Sequence, residues 1–224
     1  MRTMVRFIFG ALLIASMSAL GAVNVALAAP AAGGCQLQGL ANLSPGLSST
    51  SQAFSYSFTG NLTGCQSNVA GAPATGTASA GVQLPETVTL TNSTGGTTTG
   101  TVQYQEPTPT GSGSCGSSTT SGQALSQWAD GTATVIGYST TGSGPAVVLS
   151  GTVQPSMTLT LVASSVPAGW TAPSTFTISS TRFAAGSSAF APLTFSPATS
   201  DQNCATVPVT SANINGAVSI GSAN

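Results

Sequence analysis

The stretch FSYSFTGNLTGC, residues 54–65, alternates apolar and polar positions. As a strand it places Phe54, Tyr56 and Phe58 on one face and Ser55, Ser57 and Thr59 on the other, whereas a helix would scatter the three rings. Gly60-Asn61 then marks a turn or strand end, and Cys65 follows. Similar segments recur along the chain. ETVTLTN (86–92), TGTVQYQE (99–106), ALSQWA (124–129) and GTATVIGYS (131–139) are rich in Thr, Val and aromatic residues, which suit a pleated, half-buried surface. So are AVVLSGTV (146–153), MTLTLVAS (157–164) and STFTISSTRF (174–183). Clusters of Gly, Pro, Asn and Ser separate them. The pattern predicts about ten to twelve short strands and an all-β fold: an antiparallel β-sandwich, Ig-like or related, or a partly closed barrel.

Two local features refine this layout. In WADGTATV, Asp130-Gly131 suits a two-residue type I′ turn, which would set Trp128 opposite Ala133 and Leu125 opposite Ile136. The stretch PTPTGSGSCGSSTTSG, 107–122, reads as a long Gly/Ser/Thr-rich loop. Gly-Thr-Ala or Gly-Thr-Val recurs at residues 76, 100, 131 and 151, too unevenly for a solenoid or propeller, and marks turn-to-strand junctions. Residues 29–224 are expected to form a single domain, with two Ig-sized halves as the alternative.

The first residues follow a different logic. Arg2 and Arg6 precede the apolar run Phe7–Leu20, and Ala26-Leu27-Ala28 offers a small-x-small cleavage site. Residues 1–28 therefore read as a secretory signal peptide, giving a secreted, extracellular or envelope-associated protein without a stable membrane anchor.

Composition sharpens the picture mainly by exclusion. Beyond the signal, Arg182 is the one basic side chain, against Glu86, Glu106, Asp130 and Asp201. Binding nucleic acid by phosphate neutralisation needs clusters of Lys and Arg, so nucleic acid is excluded as a main partner. The chain has no histidine, and its mature part has no lysine. That removes Ser-His-Asp and Cys-His catalysis, Schiff-base chemistry and His-ligated zinc. No cofactor, metal or catalytic residue is expected, and the partner is an unknown extracellular or envelope component.

Four cysteines in an exported chain read as two disulfides. Three pairings are possible, and the one joining neighbours along the chain, Cys35–Cys65 and Cys115–Cys204, is favoured. The chain-entropy model assigns these loops roughly 3.5–4 and 4.5 kcal/mol.

Other motifs carry less. GSGSCG (111–116) matches G-x-G-x-x-G but lacks the surrounding α/β unit, and Leu-Pro-Glu-Thr at 84–87 lacks the rest of a cell-wall sorting signal. Asn61-Leu62-Thr63 and Asn92-Ser93-Thr94 are glycosylation sequons by pattern alone. The candidate binding residues are Tyr104, Glu106, Trp128, Asp130 and Arg182. A glycosidase needs two carboxylates about 5–9.5 Å apart, and Glu106 and Asp130 could meet beside Trp128, a ring able to stack on sugars. The simpler expectation is that these acids are solvated or serve turns, that Arg182 pairs with one of them, and that Trp128 packs in the core.

The segment GCQLQGLANLSPGLSSTSQAFSYSFTGNLTGCQS, with QEPTPTGSGSCGSSTTSG, QWADGTATVIGYSTTG, SGTV, Arg182 and Cys204, resembles a family of small exported actinobacterial proteins with no assigned activity. The resemblance implies secretion and four half-cystines, and brings no catalytic residue. In class the chain is also similar to the neocarzinostatin-type apoproteins, exported two-disulfide β-sandwiches that hold an apolar ligand. The expected function is non-enzymatic: a structural or binding role in the envelope or medium. The alternatives are a carboxylate-only hydrolase acting on glycans and a carrier of a small apolar ligand, the latter needing an apolar pocket of roughly 300 Å³ or more.

Overall fold

The computed structural model describes residues 32–221, so the signal-peptide segment lies outside the described residues. Strands β1 (Gly33–Leu47) and β2 (Gln52–Ser67) form a long hairpin, and β3 (Gly76–Ala80) pairs with β2. The chain then leaves as the hairpin β4 (Gln83–Asn92) and β5 (Thr97–Gln105) and returns as β6 (Thr110–Gly113). A meander follows: β7 (Ser117–Trp128), β8 (Ala133–Ser143) and β9 (Ala146–Gln154). A second excursion carries β10 (Ser156–Leu161), β11 (Trp170–Thr171) and β12 (Thr175–Ser179). Strands β13 (Ser188–Pro197) and β14 (Val209–Ile220) complete the fold.

The larger sheet runs β1-β14-β13-β9-β8-β7-β3-β2, and β2 pairs back on β1, so it closes into an eight-stranded antiparallel barrel. Closure removes the exposed edges that an open sheet must protect. One wall strand is split. β3 pairs with Phe58–Leu62 of β2 and β6 with Gln52–Ser55, and the β4–β5 hairpin leaves the wall between them. That hairpin joins β10, β11 and β12 in a separate five-stranded sheet, ordered β11-β4-β5-β10-β12.

Alternation along the barrel strands decides what faces inward. On β1, Cys35, Leu37, Ala41 and Leu43 are buried while Gln36, Gln38, Asn42 and Ser44 are exposed. On β2, Phe54, Tyr56 and Phe58 line the interior, as their period of two predicts. Small residues make room for these rings. A Cβ at Gly39 or at its cross-strand partner Gly60 would overlap the Phe58 ring. One at Gly122 would come 2.7 Å from Pro109.

The fold is all-β and antiparallel as expected, and of the two architectures the sequence left open the main sheet takes the barrel, closing fully because β1 and β14, from opposite ends of the described chain, pair from Gly33↔Ile220 onward. Two local expectations are corrected. The 107–122 stretch is not a long loop: 110–113 and 117–122 are wall strands, and Gly111 and Gly122 are small because Phe54 and Pro109 press on them. The Asp130-Gly131 turn is not type I′, since Gly131 has φ +81° but Asp130 has no positive φ. Asp130 Oδ1 instead accepts from the Thr132 N–H (3.1 Å), and Trp128 bonds to Thr132, not Ala133. Leu125 consequently faces Val135 rather than Ile136.

Leu125 and Val135 point outward from the barrel, and the five-stranded sheet covers them. With Leu90, Val102, Tyr104, Met157 and Leu159 they form a second core between the sheet and the barrel wall.

Candidate functional site

The barrel interior is the concave feature that the alternating pattern builds. It encloses a cavity of about 170 Å³ with an almost entirely apolar lining, including Leu37, Phe58, Ile136, Leu149, Leu193 and Ile214. Cys35–Cys65 bridges β1 and β2 near one end of the barrel, where Trp128, Phe183 and Ile220 pack. Cys115–Cys204 lies at the other end, tying the β6–β7 turn to the segment before β14 beside Leu47 and Val209. Both bonds join the cysteines that the favoured pairing joins. Their loops enclose separations of 30 and 89 residues.

Polar groups interrupt this apolar lining in few places. Tyr138 and Tyr56 are joined hydroxyl to hydroxyl, Tyr56 reaches Thr120 at 3.2 Å, and Thr120 reaches Thr140 at 2.7 Å. Burial pushes the pKa of both phenols up, so they stay neutral in the lumen. Among the lining residues none carries a formal charge at neutral pH.

The sequence candidates fall into three places. Tyr104 is completely buried in the second core, its hydroxyl donating to the Pro173 carbonyl at 2.8 Å and its ring 5.5 Å from Phe176. It packs and bonds as a core residue. Glu106 is also buried, contrary to the expectation of a solvated acid. Its carboxylate accepts from the Ser79 hydroxyl at 2.6 Å and the Val82 N–H at 3.1 Å, which clamps the root of the β4–β5 hairpin where it leaves the wall. Burial raises its pKa above the ordinary carboxylate range, against the lowering effect of those two bonds.

Trp128, Asp130 and Arg182 do come together, at the tip of the β7–β8 hairpin. Arg182 pairs with Asp130 through Nη2, donates from Nε to Thr132 Oγ1 at 3.0 Å, and lies 5.6 Å above the Trp128 ring. The Thr132 hydroxyl is the leading cause of the lowered Asp130 pKa. Trp128 donates from Nε1 to Thr134 Oγ1 at 2.9 Å and meets Phe183 edge-on. The expected Arg–acid pairing is therefore present, and Trp128 both lines the lumen and packs against Phe183. Of the remaining acids, Glu86 is raised by partial burial and Asp201 is exposed and lowered by the Thr199 hydroxyl. Glu106 and Asp130 hold separate sets of partners and share none. Among the described residues no cluster of His, Cys, Asp or Glu could hold a metal ion.

Sequence reasoning did not single out the lumen hydroxyls Thr120, Ser126, Tyr138 and Thr140. Tyr56, Ser126 and Tyr138 all lie in strand-like stretches, but nothing local marks their hydroxyls as facing an apolar lumen. Alternation in β8 does place Thr134, Ile136, Tyr138 and Thr140 on one face.

Comparison with protein-family models, with characterised proteins and with solved structures returns no match. The functional reading therefore rests on the chain's own chemistry.

Proposed function

We propose that this is an exported, non-enzymatic binding protein that encloses a small, neutral, largely apolar molecule inside its barrel. The observation carrying this reading is the closed barrel with an apolar cavity of about 170 Å³. An apolar cavity of about 150 Å³ stays dry and takes up benzene, so this volume suits a monocyclic ligand. It falls short of the roughly 300 Å³ of a drug-sized site, which bounds the ligand from above. Export is supported by the positive, apolar and small-residue segments of residues 1–28 and by the two disulfides. The polar outer face of β1 opposes insertion as a membrane barrel, which turns its apolar side outward. A glycan hydrolase gains no support, because Glu106 serves the hairpin root and Asp130 is engaged by Arg182.

Calorimetric titration with toluene tests the reading. The wild-type protein should bind it saturably at one site. Ala124→Leu, which adds side-chain volume at a position lining the cavity, should abolish binding while the protein stays folded. Absence of toluene binding by the wild-type protein, or undiminished binding by Ala124→Leu, would count against a lumen site.

A further inference from the structure

Ser126 differs from the bonded hydroxyls of the lumen, and it is more deeply buried than Ser118, the other lining serine whose hydroxyl bonds to no protein group. It lies on β7 between Ala124 and Trp128, three alternating positions that all line the cavity. Its cross-strand neighbours are Ala78 on β3 and Thr134 on β8. The Thr134 oxygen is already taken by the indole N–H of Trp128, at 2.9 Å. Thr120, Tyr56, Tyr138 and Thr140 bond to one another. Ser126 is only 6% exposed, yet its hydroxyl has no hydrogen-bond partner in the protein. The oxygen is not sealed among packed atoms; it opens onto the cavity.

A hydroxyl that faces an apolar lumen and bonds to no protein group costs stability wherever its lost hydration is not replaced. Alanine would fill the same position at no such cost. The serine makes chemical sense where something in the cavity completes the bond.

We propose that Ser126 is the polar anchor of the lumen site, holding a neutral, monocyclic-sized molecule through one hydrogen-bonding oxygen. The proposal rests on the reading of the lumen as a ligand site and adds the ligand's chemistry to it. A hydroxyl can donate to a carbonyl or ether oxygen and can also accept from an alcohol. The uncharged, apolar lining excludes carboxylates and amines, whose desolvation nothing there would offset. The occupant is thus a small ring or short-chain compound with a single neutral oxygen function.

Two probes of matched shape separate the claims: cyclohexanone, and methylenecyclohexane, in which CH2 replaces the oxygen. Affinities for both are measured on the wild-type protein and on Ser126→Ala, with Tm measured without ligand. The wild-type protein should bind both. Ser126→Ala should weaken cyclohexanone about tenfold, leave methylenecyclohexane within about twofold, and raise the ligand-free Tm by about 2–4 °C. Equal effects on the two probes, or none, would overturn Ser126 as the anchor while leaving the lumen site standing. If the wild-type protein binds neither probe, the lumen reading fails and this inference fails with it.

Discussion

The protein contains two apolar interiors built from similar residues, and they are filled differently. Between the five-stranded sheet and the barrel wall, Tyr104, Leu125, Val135 and Leu159 are completely buried, and the one phenol present finds a carbonyl partner. Inside the barrel, residues of the same kind surround a cavity of about 170 Å³, and the buried Ser126 hydroxyl bonds to no protein group. The first interior is packed for stability. Protein cores normally approach the density of organic crystals, so a void of this size forfeits dispersion contacts and calls for a reason other than folding. Both interiors share the wall strands β7 and β8, whose outward Leu125 and Val135 serve one and whose inward Ser126 and Ile136 serve the other.

Truncation should break this comparison open most strongly. Leu159→Ala in the packed core is expected to cost about 2–5 kcal/mol, since the hole it leaves cannot collapse. Leu149→Ala removes the same atoms from a side chain already bordering the lumen void and should cost only about 1–2 kcal/mol. Urea denaturation of the two variants measures the difference; equal losses would mean that the lumen is as densely packed as the second core.

A smaller effect is expected at the junction of the two regions. Glu106 holds the hairpin root through Ser79 and Val82, and its field also reaches Tyr138. Its folded-state pKa is raised above the ordinary 4.5, so the native state holds this proton more tightly than the unfolded chain. The sign follows: this group costs nothing well below pH 4.5, and its penalty grows as pH rises through and beyond that value. Glu106→Gln can still accept from Val82 and donate to Ser79. It should therefore remove this decline, matching the wild-type protein in acid and exceeding it in stability at pH 8. Denaturation midpoints across that range decide the matter, and a variant less stable than the wild type at pH 8 would refute it.

How much of this was legible depends on how far apart the interacting residues lie. Segments dense in Thr, Val and aromatics, such as 86–92 and 146–153, declare themselves as strands because period and propensity agree locally. The inward face of Phe54, Tyr56 and Phe58 and the Arg182–acid pair are also readable. Strands β13 and β14 carry Ala, Ser, Asn and Gly at many positions and give a weaker signal. Barrel closure itself has no local signature, since it depends on pairings such as Cys35↔Val218. The glycines of 107–122 resemble a flexible loop in sequence; only the Phe54 and Pro109 rings show that Gly111 and Gly122 are small because the space is taken. Ser126 was hidden for the same reason. A serine on a strand is ordinary until its neighbours reveal that it faces an apolar lumen without a partner.

The most direct test of the lumen as a binding site is methyl-resolved NMR of the intact, oxidised protein titrated with toluene. The account predicts saturable shifts at the methyls of Leu37, Ile136, Leu149 and Leu193, with those of Leu90, Val102 and Leu159 unmoved. Shifts centred on the second set, or none at either, would contradict it.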